Sequence, residues 1–145
     1  MVVSQLTGGK IGGGEFEYRQ GWKFEASDLN INAGATWNTG SAYVDVETAG
    51  LAQIVLKAKG ANASSEGTVT FNFIAVGDDA KMTAPTGPSF SKTLTLNGNN
   101  AVAVDFLVDC AAYGKMKLAS IVNGDATYAL ENVNVEIYWK QKRAY

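Results

Sequence analysis

The sequence predicts an all-β protein, an antiparallel β-sandwich, on three observations. Apolar and polar residues alternate with a period of two from Ser41 to Lys140, turn-forming residues break that alternation at short and fairly even spacing, and no segment repeats its apolar residues at helical intervals. Strands alternate because successive side chains leave opposite faces of the pleat. A jelly roll is one of the arrangements such a pattern allows.

The chain begins differently from the way it continues. Gly8, Gly9, Gly12, Gly13 and Gly14 crowd one short stretch. Glycine at that density has a high ordering cost and gives no side chains to a core. Residues 1–21 are therefore expected to be an extended glycine-rich arm, and 22–145 the sandwich domain. Phe16, Tyr18, Trp22 and Phe24 alternate with Glu15, Glu17, Arg19, Lys23 and Glu25, although Gln20-Gly21 interrupts the series. An aromatic strand of this kind either docks, on this domain or on a neighbouring molecule, or is the first strand of its own sandwich. Ile11, Phe16, Tyr18, Trp22 and Phe24 are accordingly the candidate interface residues.

From Ser41 the strands follow in turn. Ala42, Val44 and Val46 alternate with Tyr43, Asp45 and Glu47, up to a break at Ala49-Gly50. In Leu51 to Lys59, Ala52, Ile54, Leu56 and Ala58 share one face. After a polar loop, Thr68 to Val76 is the strongest strand, with Val69, Phe71, Phe73 and Ala75 facing one way. A long loop from Gly77 to Ser89 holds Pro85, Pro88 and the pair Asp78-Asp79. Leu94 and Leu96 face inward in the next strand, and Asn97-Gly98 is a tight-turn signal because both residues tolerate positive φ. Val102, Val104, Phe106 and Val108 form another core face, followed by Met116 and Leu118. Asn123-Gly124-Asp125 is a second turn. A last pair of strands is expected within Ala126 to Lys140, where Val133, Val135, Ile137 and Trp139 point one way. The sum is seven or eight strands.

Composition narrows the function. At 145 residues the chain makes one domain, large enough to fold without disulfides or metals. Its charged fraction of 18% is below the ~25% of an average soluble domain, which suits a surface that packs against neighbours, or a neutral polar surface on an ordinary β protein. A net charge of −2 argues against nucleic-acid binding, which needs clustered cations. Lys140, Lys142 and Arg143 are the one basic cluster and read as a frayed, solvated tail. The start of the chain has no signal-peptide pattern, and no apolar run approaches the ~20 residues that span a bilayer, so synthesis in a reducing cytoplasm is expected. Cys110 ends an apolar run and is expected to be a buried thiol.

Chemistry is scarce. The chain has no histidine, which removes Ser-His-Asp triads, Cys-His dyads and His-ligated zinc. One cysteine makes no thiolate metal site, and no phosphate-binding loop motif is present. Asp105 and Asp109 share a strand face but lie about 13 Å apart at ~3.3 Å per residue, too far for a glycosidase pair. Asp78-Asp79 read as solvated loop charges. Trp22 and Trp37 are the freer tryptophans for a sugar-stacking platform, while Trp139 continues a core-facing series. No catalytic residue, cofactor or metal is expected, and the chain is not expected to be an enzyme.

Five segments carry a resemblance: Ala42-Tyr43-Val44-Asp45-Val46, Gly67-Thr68-Val69-Thr70-Phe71, Ser91-Lys92-Thr93-Leu94-Thr95-Leu96, Val102-Ala103-Val104-Asp105-Phe106 and Tyr113-Gly114-Lys115-Met116-Lys117-Leu118. With them, Ser41 to Tyr138 resembles the small β-sandwich head decoration (auxiliary capsid) proteins of tailed bacteriophages. The resemblance implies a structural virion protein, made in the host cytoplasm, that binds the outer capsid surface and stabilises the shell. Its implied partners are the major capsid protein and copies of itself, most often as trimers, with no nucleic acid and no membrane. It carries over no catalytic residue. A tail, baseplate or connector protein and a carbohydrate-binding sandwich module are the alternatives.

Overall fold

The computed structural model describes residues 2–11, 16–40, 43–46, 49–77, 87–110 and 114–144, with the side chains of 2–11, 16–24, 45, 49 and 140–144 left aside. The strands are β1 (Val2–Ile11), β2 (Phe16–Ile31), β3 (Thr36–Asn38), β4 (Val44–Asp45), β5 (Ala49–Gly60), β6 (Thr68–Val76), β7 (Phe90–Thr95), β8 (Val102–Asp109), β9 (Lys115–Asn123) and β10 (Leu130–Ala144). No helix occurs among the described residues.

Two five-stranded sheets face each other. Sheet A has the order β1-β2-β10-β5-β8, and sheet B the order β3-β9-β6-β7 with β4 also on β9. Every pairing is antiparallel. The pairings nest: β2 with β10, β3 and β4 with β9, β5 with β8, β6 with β7. A long ribbon folded over on itself, closed by β10 on β5 and β9 on β6, is a jelly roll with one extra strand, β1, at its edge.

Burial follows the alternation. Val69, Phe71 and Phe73 of β6 meet Ile54 and Leu56 of β5, Leu118 and Ile121 of β9, and Val133, Val135 and Ile137 of β10, all fully buried. Val44 and Leu94 are buried as the sequence requires, and so is Cys110, where burial pushes the thiol's pKa up. Trp139 lies in the core, and Trp37 packs against it instead of standing free. Val104 and Phe106 face inward but are only half-buried, because β8 is the last strand of its sheet.

Several expectations change. β3 and the second half of β2, Glu25 to Ile31, were not distinguishable as strands. The expected pair of strands within Ala126 to Lys140 is one strand, and it carries the backbone of Lys140, Lys142 and Arg143 in register with Gln20, Tyr18 and Glu17, where a frayed tail was expected. β9 changes face partway: Asn72 pairs with Ser120 but Phe73 with Leu118, so Ala119 is an inserted residue and Ile121 turns inward after it. Asp78, Asp79 and Pro85 lie outside the described residues.

Both predicted turns form, but neither closes a hairpin. Asn100 N–H bonds Asn97 O at 3.1 Å with Gly98 at φ 57°, and the chain there passes from sheet B to sheet A. Asn123-Gly124-Asp125 crosses in the same direction, from β9 to β10. That corner is held by two buried side chains. Asn123 Nδ2 donates to Asn32 O (3.1 Å) and Tyr128 O (3.0 Å), and Asn123 Oδ1 accepts from Asp125 N–H (2.9 Å). The Asp125 carboxylate accepts the backbone N–H groups of Thr127, Glu66 and Tyr128 at 2.9–3.0 Å, which hold its pKa below the ordinary 3.8.

Candidate functional site

The register of sheet A sets apart one end of the sandwich. β5 accompanies β10 from Gly60↔Leu130 as far as Ala49↔Gln141. β2 goes further with β10, to Phe16↔Ala144, and β1 lies along β2 from Lys23 to Phe16 only. A three-stranded ribbon of β1, β2 and β10 thus continues sheet A past its last pairing with β5. β2 and β5 lie on opposite sides of β10, so the groups of β10 that face β2 stay paired after β5 has ended.

Of the candidate residues, Ile11, Phe16 and Tyr18 fall on this ribbon, while Trp22 and Phe24 stand where β5 still accompanies β10. Ile11 ends β1 and is in register with Phe16. Phe16, Tyr18, Trp22 and Phe24 stand opposite Ala144, Lys142, Tyr138 and Glu136 of β10. Their side chains lie outside the described part of the structure. β2 runs without a break across Gly21, the position where the arm was expected to end. The segment from Phe16 to Phe24 is paired with the chain's own β10, so the partner it meets here lies within its own chain.

Beside the ribbon, on the outer face of sheet A, is a feature that alternation alone did not single out. Leu51 and Leu107 are 53% and 65% exposed, the two large apolar side chains that stand out among the described residues. Leu107 pairs with Gln53 and Gln53 with Tyr138, so they form one row across β8, β5 and β10, and Leu51 is the diagonal neighbour of Leu107. Together they line a shallow groove of about 490 Å³. Polar contacts around it include Gln53 Nε2 donating to Asp105 Oδ2 at 2.9 Å and Tyr138 O–H donating to Glu136. The signal in the sequence was present: Leu107 breaks the polar face of its strand between Asp105 and Asp109.

The outer face of sheet B has the opposite character. Ser91 O–H donates to Asn72 Oδ1 at 2.6 Å, Asn72 Nδ2 to Ser120 Oγ at 3.0 Å, and the Thr70 and Thr93 hydroxyls are 3.3 Å apart. This ladder uses its own polar groups on itself. Among the described residues, no three His, Cys, Asp or Glu side chains gather as a metal site would require.

Comparison with known proteins bears on the fold. No protein-family model matches the chain, and no curated protein matches it in sequence. Solved structures of similar fold are numerous. Tripeptidyl peptidase 2 aligns at TM-score 0.50 and 12% identity, over 83% of this chain and 10% of that one, so the chain spans a tenth of the peptidase. The PRD1 vertex protein P5 aligns at TM-score 0.44 and 13% identity over 86% and 95% of the two chains. The BiXyn10A CBM1 structure aligns at TM-score 0.43 and 9% identity, over 86% and 72%. At these identities the likeness is of fold alone, and a fold does not fix a function.

Proposed function

We propose that the chain is a structural subunit, a decoration protein that binds the outer surface of a capsid, assembles with copies of itself and stabilises the shell. The observation that carries this reading is the ribbon of β1, β2 and β10, which takes sheet A beyond its pairing with β5 and carries Ile11, Phe16 and Tyr18 on it. A ribbon of that kind reaches a neighbour with backbone already ordered, so contact there does not require the ~1–2 kcal/mol per residue that ordering a loose arm costs. The low charge of the surface and the resemblance to head decoration proteins support the same reading, with the major capsid protein and further copies of this chain as partners.

The test is to fractionate a lysate of the cells that make the protein on a density gradient and to label the particles with gold-conjugated antibody against it. The full chain is expected with the particles, with gold on their outside, and a chain starting at Glu15 is expected to fold but to stay in the soluble fractions. Full-length protein confined to the soluble fractions would overturn the reading. A carbohydrate-binding role has one observation in its favour, Tyr138 beside the groove with Gln53 and Leu107. Sugar-dependent quenching of tryptophan fluorescence would mark that role.

A further inference from the structure

We propose that β8 pairs antiparallel with β8 of a second copy, so that two A sheets join into one. The inference deepens the assembly reading, on which it rests, by naming the partner and the strand.

Four sheet edges could meet a partner, and three of them carry a device against it. β7 has Lys92 on its inward face, with the ammonium 5.4 Å from the centroid of the Phe106 ring. β3 and β4 are three and two residues long. β1 loses register on β2 between Thr7 and Ile11. An inward charge, a short strand and an irregularity are the usual ways to blunt an edge. β8 has none of them. It is eight residues long, it holds no Lys, Arg, Pro or Gly, and it pairs with β5 residue for residue from Asp109↔Leu51 to Val102↔Ala58.

The backbone of β8 is set for a partner. Cys110 N–H donates to Gly50 O at 3.0 Å, continuing the ladder to β5. In an antiparallel ladder alternate residues turn their N–H and C=O groups to the same neighbour. The even residues of β8 therefore face β5, and Ala103, Asp105 and Leu107 turn their backbone groups away from it. The side chains agree. The inward row Val102, Val104, Phe106 and Val108 is left half-buried, and Leu107 on the outward row is 65% exposed beside Leu51. A strand laid along β8 covers both rows at once.

For a second copy of β8, charge selects the register. A two-fold axis perpendicular to the sheet makes the strands antiparallel and repeats every contact twice. With the axis at Phe106, Asp105 stands opposite Leu107, Ala103 opposite Asp109 and Val104 opposite Val108. Moving the axis by one residue sets Asp105 opposite itself, or Asp105 opposite Asp109, and like charges directly opposite destabilise a pair of strands. Of the three registers that pair most of β8, the one centred on Phe106 avoids this.

The experiment is the mass of the full chain by light scattering over a range of concentrations, with three variants. The wild type is expected at two chains or an even multiple. Leu107→Pro is expected to halve that mass with an unchanged circular dichroism spectrum, because the N–H it removes points away from β5 and an edge strand tolerates proline there. Leu107→Asp sets a carboxylate opposite Asp105 of the second copy and is expected to weaken the pair at least about tenfold, whereas Leu107→Lys sets an ammonium there and keeps it. If Leu107→Pro fails to fold, the contrast between Asp and Lys decides. A wild type that is monomeric throughout overturns the proposal. So does a three-chain mass that Leu107→Asp leaves in place, or equal dissociation by Leu107→Asp and Leu107→Lys. A β8-dependent dimer that never sediments with particles supports the pairing and counts against the shell reading alone.

Discussion

Phe71 and Phe106 are both inward-facing aromatic residues of the same sandwich, and the protein treats them differently. Phe71 lies on β6, between β7 and β9, and is fully buried. Phe106 lies on the last strand of sheet A. It meets the stacked pair Phe73 and Phe90 edge-on at 6.3 and 6.5 Å, takes the Lys92 ammonium over its face and stays half-exposed. The residue type is the same and only the place in the sheet differs. The centre of the molecule is complete within one chain, whereas β8 at its rim leaves its inward row half-buried, and in the pairing proposed above a second copy completes it. Substitutions in the centre should cost stability and leave assembly alone, and substitutions at the rim should do the reverse.

The largest effect should come from Phe71→Ala, with a loss of about 3–5 kcal/mol in a denaturant titration. A loss below ~1 kcal/mol would mean that the site collapses freely and the centre is not close-packed. Asn123→Ala comes next. It removes two donated bonds and one accepted bond from a buried corner, so a loss of about 2–4 kcal/mol is expected. Wild-type behaviour there would show that the corner does not tie the sheets together.

Acid probes the same corner through Asp125. Its folded pKa is lowered by the N–H groups of Thr127, Glu66 and Tyr128, so the unfolded chain takes up the proton first as pH falls. The carboxylate's stabilisation is full above the ordinary value of 3.8 and is lost as pH drops below it toward the folded value. Melting temperature followed from pH 6 down to pH 2 (a range set by carboxylate titration, roughly) should fall less steeply in Asp125→Asn than in the wild type. Identical slopes would remove Asp125 from the account.

Smaller effects are expected toward the rim. Phe106→Ala should cost the isolated chain about 1–2 kcal/mol, less than Phe71→Ala, because part of its ring is already in water. Leu107→Asp, measured at a concentration where the chain is monomeric, should change stability by no more than about 0.5 kcal/mol. A large loss there would place Leu107 in the fold and blur the contrast between centre and rim.

The sequence was most legible where burial is one-sided. In β5, β6 and β10 the alternation of Ile54 and Leu56, Val69 and Phe71, Val135 and Ile137 named the inner face correctly, since a period of two is dictated by the pleat. It was least legible where tertiary pairing overrides local pattern. The insertion at Ala119 shifts β9 by one residue, and Trp37 sits in a three-residue strand too short to show a period. Asn97-Gly98 announced a turn but not that the chain changes sheets there. Leu107 was visible as an apolar residue between two aspartates, yet its meaning depends on β8 being an edge, a fact of sheet order that no local pattern contains.

Amide hydrogen exchange of β8 tests the division between a finished centre and an unfinished rim most directly. The amides of Ala103, Asp105 and Leu107 point away from β5, and among the described residues no strand pairs with them. At concentrations where light scattering finds the doubled mass, they should exchange slowly, and on dilution to the monomer they should exchange fast, while the amides of Val104 and Phe106 remain protected throughout. Fast exchange at Ala103, Asp105 and Leu107 at every concentration would contradict the account.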